Sequence, residues 1–170
     1  MYYAEQALLK AMPKMLENTT TEILEDAMTE HLKQTEKQEK RLEKVFRMIG
    51  QEPEGKKCEA MDGLITEAQE ILKETKDYTM TRDAALIIGA QKIEHYEIAT
   101  YGSLVQLAIT MRLNQVADVL DRSLVEEETD LMLTEIAEGY INLEAECETP
   151  YNWEKSQEEE EMEEESSYSM

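Results

Sequence analysis

The stretch LEDAMTEHLKQTEKQEKRLEKVFRMI, residues 24–49, decides the fold. Taken in steps that alternate four and three, it yields Leu24, Met28, His31, Thr35, Gln38, Leu42, Val45 and Ile49. Side chains at that spacing share one face of a helix. Both ends of this face are apolar and its middle is polar.

Three further segments carry the same signature. Segment 86–107 gives Leu86, Ala90, Ile93, Glu97, Thr100, Leu104 and Leu107, with Glu94 beside Glu97. Segment 117–141 gives Ala117, Leu120, Leu124, Glu127, Leu131, Thr134, Ala137 or Glu138, and Ile141, with Asp130 next to the seam. The first segment gives Glu5, Leu8, Met12 and Met15. An unpaired buried carboxylate is costly, so its charge must be compensated. Carboxylates converging from four helices repel one another, and a bound cation is one way to hold them. Inward carboxylates on four helices are the pattern of ferritin-like di-metal bundles.

The 170 residues suffice for one domain with a real core. Three prolines, six glycines and one Phe, against abundant Leu, Glu, Ala, Lys and Met, make a helical composition. A formal net charge of −22 argues against nucleic-acid binding and against docking on anionic membranes. Cys58 and Cys147 stand far apart and in no metal-ligand spacing, which reads as a reduced, cytoplasmic protein. The start shows no secretory signal, and the longest apolar run, Ala84 to Ala90, is far too short to span a bilayer.

The pattern predicts a first helix over 2–17 with Pro13 inside it, where proline kinks a helix or ends its bonding early. Thr19 to Thr21 offers a cap for a second helix reaching about Ile49. Gly50 to Gly55 breaks the chain, and 58–75 is a short amphipathic helix. A third long helix spans roughly 82–109, and a fourth, capped by Asn114, runs to about Ala145. The short helix lets the chain cross from one end of a bundle to the other between the second and third long helices. The expected fold is all-α: a ferritin-like four-helix bundle with a short extra helix in that crossover. Residues 1–147 form the bundle. Residues 148–170, with nine Glu and one Lys, form an acidic, disordered tail.

The stretches Tyr3-Ala4-Glu5-Gln6, His31-Leu32-x-x-Thr35-x-x-Gln38 and Cys58-Glu59-Ala60-Met61-Asp62-Gly63-Leu64-Ile65 resemble the YciF/YciE family. So do Arg82-Asp83-Ala84-Ala85-Leu86, Gln91-x-x-Glu94-His95-Tyr96-Glu97-Ile98-Ala99-x-Tyr101-Gly102 and Glu126-Glu127-x-x-Asp130. The likeness covers nearly all of residues 2–145 and implies a ferritin-like protein of bacterial stress responses. Set against that family, helix 1 begins late, with Glu5 in its first turn. Gln34 stands where Glu is usual, and the region of Glu127 is one residue short.

With the resemblance, Glu5, Glu94, Glu97, Glu127 and Asp130 are the expected ligands, and iron or manganese the expected metal, since carboxylate-rich sites suit these ions. From the residues alone, Glu94 also reads as a rim salt bridge and Glu127 as one charge in an acidic helix face. His31 reads as a hydrogen-bonded core histidine that supports the site or as a ligand, with Gln34 and Gln38 beside it. Tyr96 and Tyr101 read as core packing, and Cys58, near a helix start, as a thiol of lowered pKa or a structural one.

The expected function is therefore iron or manganese binding in a stress response, with ferroxidase or peroxide-scavenging chemistry. The rival is a non-catalytic helical scaffold that has lost its metal site and works through oligomerisation or a partner. A homodimer is expected, and the acidic tail suits a basic protein partner. Enzyme status is left open by the sequence.

Overall fold

The computed structural model describes residues 1–129 and 131–148, and all of its regular elements are helical. They are α1 (Tyr2–Leu16), α2 (Glu22–Met48), α3 (Glu59–Glu74), α4 (Met80–Thr110), α5 (Asn114–Thr129), α6 (Met132–Ile136), a π-helical turn (Ala137–Ile141) and α7 (Asn142–Glu148). Asp130 and residues 149–170 lie outside the described residues, so the expectations for that carboxylate and for the tail beyond Glu148 fall there too.

Long-range caps fix how the helices are directed. The buried Asp83 carboxylate, in the first turn of α4, accepts from the backbone N–H of Thr20 (2.7 Å) and Thr21 (2.9 Å) and from the Thr21 hydroxyl (2.8 Å). Thr21 is the N-cap of α2, as the sequence suggests, but the capping carboxylate arrives from α4. The starts of α2 and α4 are therefore side by side, and these two long helices run parallel.

The chain gets from the end of α2 to the start of α4 along α3. Residues 49–58 pass the beginning of α1, where a Cβ on Gly55 would meet the Tyr3 backbone at 3.1 Å. Tyr3 then hydrogen-bonds Asp62 early in α3 (2.9 Å). At the other end of α3, the buried Arg82 donates to the Leu72 carbonyl (2.8 Å), to the Thr75 carbonyl and hydroxyl, and to Asp77. These donors satisfy carbonyls that the end of α3 leaves open. Glu148 closes the C-terminal end of the described chain against α4, accepting from the N–H of Met80 (2.8 Å) and Thr81 (3.0 Å). Those backbone donors hold its carboxyl below the ordinary range.

The interior divides as the α2 stripe implies. Met15, Leu24, Met28, Leu86, Ile87, Ala90, Leu133 and Ile136 pack together at one end, and Leu42, Tyr101, Ala108, Val116, Ala117 and Leu120 at the other. Ala4, Leu8, Met12, Met61 and Ile93 seat α1 and α3 against α4. Between the two ends lie Glu5, His31, Thr35, Gln38, Glu94, Glu97 and Glu127, all buried.

The heptad spacing drifts along the longer helices. On α4 the buried series after Glu97 continues through Tyr101 and Ala108, while Leu107 is 58 % exposed. A straight helix has 3.6 residues per turn, so a 3.5-residue stripe rotates off the core as it lengthens. The same drift, together with the end of α2 at Met48, leaves Ile49 exposed. The expected continuous fourth helix is interrupted at Leu131. Leu131 turns outward, and Leu133, Ile136, Ala137 and Ile141 take the inner face. The extra residue of the π turn resets which side chains face inward.

Candidate metal centre

Four helices each contribute to the buried polar layer: Glu5 from α1, His31, Thr35 and Gln38 from α2, Glu94 and Glu97 from α4, and Glu127 from α5. One donor atom each of His31, Glu97 and Glu127 lies within 4.8 Å of the other two. His31 Nδ1 lies 3.4 Å from Glu94 Oε1. That contact lacks hydrogen-bond alignment, so this oxygen, although fully buried, accepts no hydrogen bond.

Glu97 is the centre of the layer. It is 0 % exposed, and neither of its carboxyl oxygens makes a hydrogen bond of regular geometry, although the Glu5 carboxyl lies near enough to share a proton with it. Burial, followed by the charges of Glu5, Glu127 and Glu94, raises its pKa well above the ordinary value. Glu5 is pushed up to about 7 by burial. A hydrogen bond from Tyr101 and the nearness of His31 pull it down, while Glu127 pushes it up.

The buried layer is oriented by neutral donors, with one charged donor, Arg41, at its margin. The Tyr101 hydroxyl donates to Glu5 Oε1, and burial, reinforced by Glu5, holds the phenol well above its ordinary range and so protonated. Gln38 Nε2 donates to Glu127 Oε1 and, at 3.3 Å, to Glu126 Oε2. Thr35 donates to the His31 carbonyl (3.1 Å) and contacts the Met12 sulfur at 3.8 Å. Arg41 donates to Ser123 (3.2 Å), and its guanidinium is committed to Glu126.

Four expected ligands, Glu5, Glu94, Glu97 and Glu127, thus meet in the interior with His31 beside them. The amide at the centre belongs to Gln38, while Gln34 is only half-buried. Tyr101 and Ser123 were the residues undervalued by sequence reasoning. A signal existed for both: each lies four residues from a buried glutamate, Glu97 and Glu127 respectively. Cys58 is the N-cap of α3, where its sulfur accepts from the Met61 N–H and sits 3.0 Å from the Tyr96 hydroxyl. Burial alone would raise this thiol, but the Tyr96 hydroxyl and the Met61 and Ala60 N–H groups outweigh it, and its pKa is lowered.

The donor set fits a divalent ion. Glu5 Oε2, Gln38 Oε1, Glu94 Oε1 and both oxygens of Glu97 are buried without hydrogen bonds. Orphaned buried acceptors are rare in folded proteins, and a cation would satisfy several of them at once. Carboxylates with a single imidazole make a predominantly oxygen site.

A helical protein whose packed interior carries a carboxylate–imidazole cluster is the class that fold and site define. The chain belongs to the family described as Domain of unknown function (DUF892), whose model matches residues 1–146. It is 41 % identical over 150 residues to protein YciF of Escherichia coli strain K12, spanning 85 % of this chain and 88 % of that one. The crystal structure of the E. coli stress protein YciF superposes with a TM-score of 0.77 at 40 % identity, covering 83 % of this chain and 89 % of that chain. YcfI from Rhodopseudomonas palustris superposes with a TM-score of 0.74 at 43 % identity, over 79 % and 84 % of the two chains. The resemblance drawn from the residues is borne out. No helix among the described residues is long and apolar enough to cross a membrane.

Proposed function

We propose that the chain is a ferritin-like four-helix bundle that binds iron or manganese at Glu5, Glu94, Glu97, Glu127 and His31, in a stress-response role like that named for its E. coli relative. The observation that carries this reading is Glu97, fully buried, with two unsatisfied oxygens, among three other carboxylates. The parallel course of α2 and α4, joined through α3, is the crossover that such bundles use.

Iron or manganese bound there would supply redox chemistry toward oxygen or peroxide. The chain's own residues prepare the site. Tyr101 and Gln38 fix Glu5 and Glu127 from behind, and Thr35 bonds the carbonyl of His31. Glu5 and Glu97 hold protons that a cation would displace, so binding releases protons. The apolar layers on either side keep bulk water from the carboxylates.

The test is elemental analysis of protein purified without chelator, alongside the variant Glu94→Gln/Glu97→Gln. Iron or manganese near stoichiometric amounts in the wild type, and its loss in the variant, is the expected result. Above the pH at which these carboxyls ionise, the metal-free variant should also melt higher than the metal-free wild type, because repulsion is relieved. Equal metal content in both would show that these residues are not ligands.

A second reading has its own support. The raised pKa values of Glu5 and Glu97 mean that protons can neutralise the cluster without a metal. The chain would then be a helical scaffold whose polar layer fixes helix register. Wild-type protein with negligible iron, manganese and zinc would favour it.

A further inference from the structure

The geometry points to the Arg41–Glu126 ion pair as the gate through which a cation reaches the buried carboxylates, a reading that rests on the proposed metal site. Among the described residues the cluster is closed. Glu5, Glu97, Gln38 and Thr35 are 0 % exposed, and the layers above and below are apolar. An ion must therefore pass a group that can move. Separating packed helices is slow and costly, whereas partly exposed side chains reorient freely.

Among the described polar side chains hydrogen-bonded to the cluster, directly or through Gln38, Arg41 and Glu126 reach solvent most, at 21 % and 28 % side-chain exposure. Gln38 joins them to the interior, since its Nε2 donates both to Glu126 and to Glu127. Its Oε1 is buried and has no hydrogen-bond partner, so the same side chain offers an acceptor to a passing ion. The opposite wall is closed by the fully buried Tyr101 on Glu5. At the remaining edge His31 and Glu94 contact each other and are nearly buried.

Charge gives the gate its sense. Closed, Arg41 places a positive charge over the opening and Glu126 neutralises it. The pair is held by two parallel hydrogen bonds but reaches solvent, so water can take over those contacts when it opens. Opening frees the Glu126 carboxylate to take the cation, and the ion can then pass by way of Gln38 to Glu127 as the guanidinium swings out. Glu126 and Arg41 would act on the rate of uptake, leaving the ligand set unchanged.

The two residues should therefore act in opposite directions. Arg41→Met keeps the aliphatic stem and removes the positive charge, so uptake should quicken. Glu126→Gln leaves Arg41 unneutralised over the opening, so uptake should slow. Arg41→Lys keeps the charge and should stay near wild type. Each is read with full-length metal-free protein and Co²⁺ alone, following the visible absorption of bound Co²⁺ after rapid mixing, with release followed after adding EDTA. Arg41→Met should raise the uptake rate about tenfold at low ionic strength. That difference should shrink with added salt. Unchanged rates in both charge variants overturn the gate while leaving the metal site standing. So does faster uptake in both, since that is the mark of loosened packing. Wild type that takes up no Co²⁺ overturns the metal site and the gate together. Thermal midpoints of all three variants identify any that is misfolded, and Arg41→Lys then serves as the reference for charge alone.

Discussion

Tyr101 on α4 donates its hydroxyl to Glu5 on α1, and both side chains are fully buried. This bond ties the first helix to the third long one at the level of the carboxylate layer. It also makes Glu5 easier to ionise than its burial alone would allow. Tyr101→Phe removes the donor and leaves a buried acceptor, which costs about 1–3 kcal/mol. The urea midpoint should fall accordingly, and the pKa of Glu5 should rise above its wild-type value. A variant with an unchanged midpoint would mean that the bond is not maintained in solution.

The metal-free protein should lose stability as pH rises. Glu5 titrates at about 7 in the fold against an ordinary value of 4.5, so between those values the folded state holds a proton that the unfolded chain releases. Its stabilising contribution is complete below about 4.5 and is lost as pH climbs through about 7. At 1.36 kcal/mol per pKa unit the loss is on the order of 3 kcal/mol. Glu97 shifts in the same direction. Chemical unfolding between these pH values should show the decline in the wild type, a shallower one in Glu5→Gln, and little decline in excess Mn²⁺. A flat profile in the metal-free wild type contradicts the buried, uncompensated state of these carboxylates.

Asp83 joins two helix starts and touches nothing in the metal centre. Asp83→Ala removes three hydrogen bonds to Thr20 and Thr21. A lost helix cap with part-buried donors left behind costs about 1–2 kcal/mol. Thermal unfolding should show that loss, while metal content per folded chain stays at the wild-type level. Loss of metal without loss of stability would show that this contact reaches the centre by a route the fold does not reveal.

The helices and the inward face of the central glutamates were readable from pattern, since a glutamate inside an apolar stripe stands out, but choosing them as ligands over a rim salt bridge or an acidic helix face took the family resemblance. Glu97 between Ile93 and Leu104, and Glu127 after Leu124, are of this kind. Four-and-three spacing failed where a helix runs long: it put Leu107 inward and passed over Tyr101, because the true repeat is 3.6. It failed again at Leu131, where no Gly or Pro announces the interruption; the π turn does contain Gly139, but a single glycine inside an apolar helical pattern does not signal a change of register. Gln34 and Gln38 share a composition and differ in depth, which only packing decides. The cap from Asp83 and the clamp from Arg82 join residues remote in sequence, and no local pattern contains them.

Anomalous diffraction from crystals of the full chain grown with Mn²⁺ or Fe²⁺ tests the metal centre most directly. An anomalous peak is expected inside the bundle, within ligand distance of Glu97 and of at least two among Glu5, Glu94, Glu127 and His31. An interior without a peak, with the carboxyl groups of Glu5 and Glu97 hydrogen-bonded to each other and metal only on the acidic surface, would contradict it.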